Sequence, residues 1–160
     1  MTLEQLTKFC NGHQGITKEP FGIDKWRVAT DGVVLIAENG LSPIKLPELE
    51  ACNNRDYILK MLSVEIPDQL YSFEHLNGFL SGEETELVHP VFFNGHAIDK
   101  SRLRKVFSVC IERYRFAVSN QGCYHCFHFS FGKVTALVMG MRDIVSAIRY
   151  EPIKYPLVSQ

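Results

Sequence analysis

Residues 25–38 read KWRVATDGVVLIAE, and this stretch predicts two β-strands joined by a tight turn. Asp31-Gly32 suits a two-residue type I′ turn, because both central residues of that turn need a positive φ. Alternate side chains of the first strand share one face of the sheet: Trp26, Val28 and Thr30. The second strand, residues 33–37, contains no polar residue, so we expect both of its faces to be covered.

The length and composition of the chain predict a globular protein. Of its 160 residues, 46% are hydrophobic and 22% are charged. We predict a single domain over residues 1–160 and leave open a subdivision near residues 76–86, which have the composition of an exposed loop. The formal net charge of −1 indicates no overall basic field that would attract nucleic acid, although a local basic face is compatible with it.

The sequence also predicts where the protein resides. No apolar run approaches the ~18 residues of a membrane span, so we expect no membrane contact. Residues 1–5 lack the basic and apolar regions of a signal peptide. The five cysteines are an odd number without the spacing of a disulfide framework. We therefore expect a cytoplasmic protein with free thiols.

The predicted elements follow the order helix, hairpin, irregular middle, strand, helix and three strands. Thr2 and Gln5 form a capping-box pattern at the start of a helix over residues 2–11. Asp99 suits the N-cap of the later helix. The apolar stripe of that helix recurs at i, i+3, i+4 and i+7: Leu103, Val106, Phe107 and Cys110. The final strands are predicted at residues 113–118, 123–131 and 134–141.

A helix followed by adjacent strands therefore occurs twice in the chain. This order predicts an α+β fold, in which antiparallel sheets carry two or more helices packed on one face. Between the two parts, residues 47–53 and 55–62 predict one broken helix or two short ones, with the break at Asn53-Asn54.

Four basic residues crowd the first turns of the later helix, away from its apolar stripe: Lys100, Arg102, Arg104 and Lys105. Cations near a helix N-terminus oppose the helix dipole, at a cost of about 0.3–1 kcal/mol each. Such a placement is typical of a surface that faces an anion and also of a solvated charged face. The pattern leaves both interpretations open.

A Cys-x-x-Cys motif with interleaved histidines suggests a zinc site: Cys123, His125, Cys126 and His128. The aromatic residues around the motif favour a strand, which would turn Cys123 and His125 to one face and Cys126 and His128 to the other. No second ligand pair has suitable spacing, and the chain has no GxGxxG, P-loop or HExxH motif. We therefore predict a non-enzymatic protein without a cofactor. A small zinc- or thiol-dependent enzyme centred on Cys123 and Cys126 is the alternative.

Two short segments of the sequence resemble sequence motifs of one protein family, and we call them the two clamp-like phrases. Residues 27–32, RVATDG, precede an apolar strand and resemble the VATDGHRLA phrase of the bacterial DNA polymerase III beta sliding clamp. Residues 136–142, ALVMGMR, resemble the VMPMR phrase at the C-terminus of that clamp. Residues 94–99, NGHAID, are similar to the segment that leads into a clamp-domain helix. The resemblance covers residues 25–38 and 92–142, and the middle of the chain is unmatched.

The resemblance implies a DNA-clamp-like domain whose paired helices face DNA. By this likeness the basic residues Lys100, Arg102, Arg104 and Lys105 would contact the phosphates of double-stranded DNA. Such a contact is independent of base sequence and sensitive to salt.

The family's two phrases also line a hydrophobic pocket that captures short peptide motifs of polymerases and repair proteins. By match, the corresponding positions here are Thr30, Gly32, Leu35, Val138, Met139, Met141 and Arg142. Methionine suits such a pocket because its flexible side chain repacks around different ligands. A plain role in the sheet core is the alternative for Val138 and Met141.

The chain departs from the family in its phrases and in its length. Val33-Val34 replaces a polar pair, and Gly140 replaces the proline of the second phrase. A clamp ring contains several such domains, whereas this chain has room for one. In the family the two phrases meet across a domain junction, so a shared pocket here is expected to need a head-to-tail homo-oligomer. A monomer with a borrowed fold and an inhibitory or structural module of phage type are the alternatives.

Overall fold

A computed structural model of the protein describes most of the chain. The described residues are 1–40, 44–74, 90–93, 96–109, 113–122, 124–141 and 153–154. The predicted subdivision near residues 76–86 lies outside them, as do Cys110, Cys123 and Arg142.

The described strands form two sheets. In chain order they are β1 (Phe21–Ile23), β2 (Trp26–Thr30), β3 (Val34–Asn39), β4 (Tyr71–Ser72), β5 (Pro90–Phe93), β6 (His96–Asp99), β7 (Arg113–Asn120), β8 (His125–Phe131), β9 (Val134–Met139) and β10 (Ile153–Lys154). The main sheet has the order β1-β2-β3-β9-β8-β7-β4, and all of its neighbouring strands are antiparallel. In the smaller sheet, β5 lies between β10, which is parallel to it, and β6, which is antiparallel.

Three α-helices lie within the described residues: α1 (Leu3–Thr7), α2 (Asn53–Leu62) and α3 (Lys100–Phe107). The capping box of α1 is confirmed, because the Gln5 N–H donates to the Thr2 hydroxyl at 3.1 Å and the Thr2 N–H donates to the Gln5 side chain at 2.8 Å. Asp99 caps α3 by accepting a hydrogen bond from the Ser101 N–H at 2.9 Å. The predicted α+β class is confirmed.

The main sheet joins two units, each of which is a helix followed by three antiparallel strands. The first unit is α1-β1-β2-β3 and the second is α3-β7-β8-β9. Their last strands meet, since β3 pairs with β9 from Val34 opposite Val138 to Glu38 opposite Val134. The helix-and-strand order that the sequence repeats therefore corresponds to two halves of one sheet, which join at the β3–β9 pair.

The two faces of this sheet carry separate apolar clusters. Helices α1 and α3 pack on one face, as predicted for two helices. Their cluster includes Leu6, Phe9, Leu103, Val106, Phe107, Ile36, Phe127 and Phe129. Helix α2 covers part of the opposite face. Its cluster includes Ile58, Met61, Val28, Leu35, Cys126 and Leu137.

The β2–β3 hairpin is confirmed, but its predicted turn is wrong. The Asp31 N–H donates to the Val34 carbonyl at 3.2 Å, so Gly32 and Val33 form the two-residue loop. Gly32 has a φ of 97°, and Asp31 is not among the residues with positive φ. Glycine at the first loop position is typical of a type II′ turn. Asp31 instead stabilises the loop through its carboxylate, which accepts hydrogen bonds from the Val33 N–H at 3.0 Å and the Val34 N–H at 2.8 Å.

The middle of the chain departs from the prediction. Helix α2 begins at Asn53, where the sequence predicted a break. Residues 47–49 run along the edge strand β1 and form no helix. The Gly22 N–H donates to the Pro47 carbonyl, and the Leu49 N–H donates to the Gly22 carbonyl, each at 2.9 Å.

Candidate partner-binding groove

An apolar groove of about 200 Å³ lies between α2 and the main sheet. Its α2 wall consists of Asn54, Tyr57, Ile58 and Met61. Its opposite wall and floor consist of Thr30, Gly32, Val33, Val34, Leu35, Cys126, Leu137 and Met139. Ile16 and Tyr124 complete the lining, which contains no charged residue.

Pairing of β3 with β9 brings the two clamp-like phrases together at this groove. Leu35 pairs with Leu137, and the Met139 N–H donates to the Val33 carbonyl at 2.9 Å. Both contacts are within one chain. The expectation that a shared pocket needs head-to-tail association of two copies is therefore wrong.

The structure places the predicted partner-binding residues in three different settings. Thr30, Gly32, Leu35 and Met139 line the groove. Val138 is fully buried in the cluster beneath α1 and α3, because adjacent residues of a strand face opposite sides of the sheet.

Met141 follows β9 and is not among the residues that line the groove. Its N–H donates to the Ala97 carbonyl at 2.8 Å, which connects the end of β9 to β6. Val138 and Met141 therefore do not line this groove, and their role in partner binding stays a prediction. Arg142 lies outside the described residues.

Helix α2 supplies the part of the groove that the sequence did not predict. Ile58 and Met61 are buried three residues apart on the sheet-facing side of α2. The spacing of these two residues in the sequence already indicates an apolar helix face. The sequence could not assign the helix to this face, because the middle of the chain matches no part of the clamp phrases.

Two tyrosine hydroxyl groups lie at the rim of the groove. Tyr57 of α2 and Tyr124, which precedes β8, have their hydroxyl oxygens 3.5 Å apart. Desolvation and the neighbouring Tyr124 hydroxyl raise the pKa of Tyr57, so its phenol keeps its proton. Tyr57 is 46% exposed and Val33, on the opposite wall, is 37% exposed, so both walls offer apolar surface to solvent.

The loop at the other wall is held by its own side chains. The Thr30 hydroxyl donates to the Val34 carbonyl at 2.8 Å and accepts from the Gly32 N–H at 3.0 Å. Burial would raise the pKa of Asp31, but its hydrogen bonds with Lys105 and with two loop N–H groups hold that pKa below its ordinary value. Asp31 is therefore ionised at neutral pH.

Two of the four cations predicted to face DNA form contacts within the chain, with residues of the two clamp-like phrases. The Arg102 guanidinium donates to the Met139 carbonyl at 2.6 Å, and the Lys105 ammonium forms an ion pair with Asp31. The Lys105 ammonium also lies 5.5 Å from the centre of the Phe9 ring. Lys100 and Arg104 belong to the same helix, and burial and the charge of Arg104 lower the pKa of Lys100.

The Cys-x-x-Cys region does not form a metal-binding arrangement among the described residues. Cys126 and His128 are buried on the α2 side of the sheet, whereas the His125 ring lies 3.8 Å from the ring of His96. No three His, Cys, Asp or Glu side chains within the described part of the chain could hold one metal ion. Burial raises the pKa of the Cys126 thiol to about 12, so this thiol stays protonated. Cys123 lies outside the described residues.

His128 is buried near the Met61 backbone at the end of α2. Its Nε2 and the Ser119 hydroxyl are 2.7 Å apart, and the Gln121 amide donates to the same hydroxyl at 3.1 Å. Its Nδ1 has no hydrogen-bond partner among the described residues. Burial lowers the pKa of His128 to about 4, against a small opposing effect of the Met61 backbone.

Gly140 occupies a position at which a proline would not fit this structure. Its N–H donates to the His125 carbonyl at 2.7 Å, and a proline has no N–H to donate. A Cβ at this position would also lie 2.6 Å from the same carbonyl oxygen. The close approach of the backbone at residue 140 to the His125 carbonyl in β8 therefore requires glycine.

No family model, curated protein or solved structure matched this chain in comparisons with known proteins. None of the helices within the described residues has the length and hydropathy to cross a lipid bilayer.

Proposed function

We propose that this protein is a non-enzymatic, clamp-like binding protein that captures a short apolar peptide segment of a partner protein in the groove beneath α2. One observation carries the proposal. Four of the positions selected by likeness to a peptide-binding pocket, Thr30, Gly32, Leu35 and Met139, line the same groove.

The size and lining of the groove favour an apolar side chain as its occupant. Its volume of about 200 Å³ is smaller than the roughly 300–1,000 Å³ of typical small-molecule and cofactor sites. An uncharged lining offers nothing to balance the charge of a nucleotide or another ionic ligand. Met61 and Met139 lie on different walls, and their flexible side chains can adjust to more than one occupant.

The repeated units of the fold agree with a clamp-like domain. The units α1-β1-β2-β3 and α3-β7-β8-β9 each place a helix on the same face of the sheet. The groove lies on the opposite face. Since one chain supplies both phrases, a monomer can carry this function without a ring.

DNA contact by Lys100, Arg102, Arg104 and Lys105 stays a prediction. The intramolecular contacts of Arg102 and Lys105 occupy donors that such a face would use, so the proposal rests on the groove alone. The partner is accordingly a protein, and no cofactor takes part.

A displayed library of random linear nonapeptides tests the proposal. We expect the full-length protein to enrich peptides with an apolar anchor residue, and the most enriched sequence is then synthesised for affinity measurement. Val33→Arg places a charge on the groove wall at a side chain that is already 37% exposed. We expect it to weaken binding about tenfold or more, because the anchor loses apolar burial.

Leu70→Arg is the matched control. Leu70 is 40% exposed and lies outside the groove lining, so this variant should bind as the wild type does. The proposal is wrong if no peptide is enriched, or if Val33→Arg binds the selected peptide as tightly as Leu70→Arg.

A further inference from the structure

The tyrosine pair at the groove rim retains unused hydrogen-bonding capacity. The 3.5 Å between the Tyr57 and Tyr124 oxygens exceeds the roughly 2.7–2.8 Å of a normal hydroxyl hydrogen bond. Among the described residues, neither hydroxyl has another hydrogen-bond partner. An occupant of the groove can therefore offer both hydroxyls a better partner than they offer each other.

Of the other polar groups that line the groove, the Asn54 amide is exposed on the α2 wall, and two buried groups are less suited to recognition. The Thr30 hydroxyl is buried and already bonded to the Val34 carbonyl and the Gly32 N–H. The Cys126 thiol is buried and is only a weak donor. The tyrosine pair, in contrast, places two hydroxyl groups side by side at the groove, and Tyr57 is exposed to solvent.

We propose that the hydroxyl groups of Tyr57 and Tyr124 form the polar recognition element of this groove and donate hydrogen bonds to a backbone carbonyl oxygen of the bound peptide. The apolar side chain next to that carbonyl fills the floor at Leu35 and Leu137. This inference rests on the function proposed above, since it requires a peptide in the groove.

The chemistry of the site selects a carbonyl over a carboxylate. A carboxylate buried at this rim would need a cation to balance its charge, and none of the groove-lining residues is charged. A phenolic hydroxyl group can donate a hydrogen bond, whereas an uncompensated peptide carbonyl in an apolar groove carries a desolvation penalty. The hydroxyl pair removes that penalty without adding charge.

The positions of the two tyrosines also give the contact a structural consequence. Tyr57 belongs to α2, while Tyr124 precedes β8 in the sheet. A carbonyl held by both would connect the two walls of the groove. Recognition of the backbone, rather than of one side chain, would allow peptides of different sequence to bind.

Tyrosine-to-phenylalanine variants test the inference with the synthetic nonapeptide selected on the wild-type protein. Tyr57→Phe and Tyr124→Phe keep the aromatic ring and remove only the hydroxyl. We expect each to weaken the affinity for the peptide roughly three- to tenfold, the range for one neutral hydrogen bond. Tyr71→Phe is the control, because Tyr71 stacks on Tyr114 at the far edge of the sheet.

The possible outcomes separate this inference from the proposed function. If the wild type binds the peptide and both phenylalanine variants bind it equally well, the tyrosine pair is not the recognition element and the function stands. If the wild type enriches no peptide, the function itself fails and the inference fails with it. A loss of affinity when the peptide C-terminus is amidated would overturn the assignment to a backbone carbonyl in favour of a terminal carboxylate.

Discussion

The carboxylate of Asp31 in the β2–β3 loop forms an ion pair with the ammonium group of Lys105 in helix α3. The two residues are 74 positions apart and belong to the two different helix-and-strand units of the sheet. Asp31 also accepts hydrogen bonds from Val33 and Val34, so one carboxylate fixes the loop at the groove wall and ties it to the second unit.

Removal of this ion pair should destabilise the fold. Lys105→Met keeps the length and apolar part of the side chain but leaves the partly buried Asp31 without its cation. We expect the free energy of unfolding in urea to fall by about 1–2 kcal/mol, between the values for exposed and buried pairs. Lys8→Met is the control, since the Lys8–Glu4 pair is 3.6 Å long and highly exposed, and it should change little. Equal unfolding curves for both variants would contradict this role of Lys105.

The contribution of Asp31 should disappear in acid. Its pKa is lowered in the folded protein, so the unfolded chain takes up the proton more readily. The stabilisation is then complete above the ordinary pKa of 3.8 and is lost as the pH falls through the lower pKa of the folded state. Urea unfolding of the wild type and Lys105→Met from pH 6 to pH 2 should show converging stabilities. A constant difference in unfolding free energy between the two proteins over this pH range would contradict this role of the Asp31 carboxylate.

His128 should make the free energy of unfolding depend on pH at higher pH values than Asp31 does. Burial lowers its pKa from 6.5 to about 4, so the unfolded chain binds a proton at pH values where the native protein does not. The free energy of unfolding should therefore decrease as the pH falls from 6.5 towards 4, with a slope of at most about 1.4 kcal/mol per pH unit. His128→Gln removes the titrating group and should flatten this dependence in urea unfolding.

The control for this prediction is His13→Gln, the same substitution at an exposed histidine. An NMR titration of the wild type provides a second measurement if His128→Gln does not fold. The ring signals of His128 should stay unchanged from pH 8 to pH 5.5. A midpoint near 6.5 would show that the ring is not buried as described.

Gly140→Ala should destabilise the protein by about 2 kcal/mol or more. The added Cβ would lie 2.6 Å from the His125 carbonyl oxygen, and a backbone atom cannot move aside cheaply. Gly12→Ala offers a comparison with open space around the Cβ, where only the positive φ of 73° carries a cost of about 1 kcal/mol. Thermal unfolding of the two variants measures the difference. A smaller effect at Gly140 than at Gly12 would rule out the close approach of β8.

Local features of the fold were predictable because they depend on neighbouring residues. Thr2 and Gln5 make the capping box that their spacing predicts, and Asp99 caps α3. The alternating and aromatic segments became β7, β8 and β9 with small shifts at their ends. The predicted turn at Asp31-Gly32 is wrong because Asp31 flanks the two-residue loop, which its backbone N–H closes and its carboxylate stabilises.

The candidate site was predictable only in part. Likeness to the clamp phrases selected Thr30, Gly32, Leu35 and Met139, which line the groove, but it also selected Val138, whose side chain points to the other face. The wall formed by Tyr57, Ile58 and Met61 was missed, because an amphipathic pattern does not say which surface a helix will cover.

By itself, the sequence determined many of the elements, the caps of α1 and α3 and the repeated helix-and-strand order, since short-range hydrogen bonds and side-chain periodicity depend on residues close in the chain. Only the tertiary structure decided that β3 pairs with β9, that α2 covers the second face, and that Lys105 binds Asp31. These contacts join residues far apart in the chain, and burial, backbone pairing and charge together select them from many arrangements with the same local pattern.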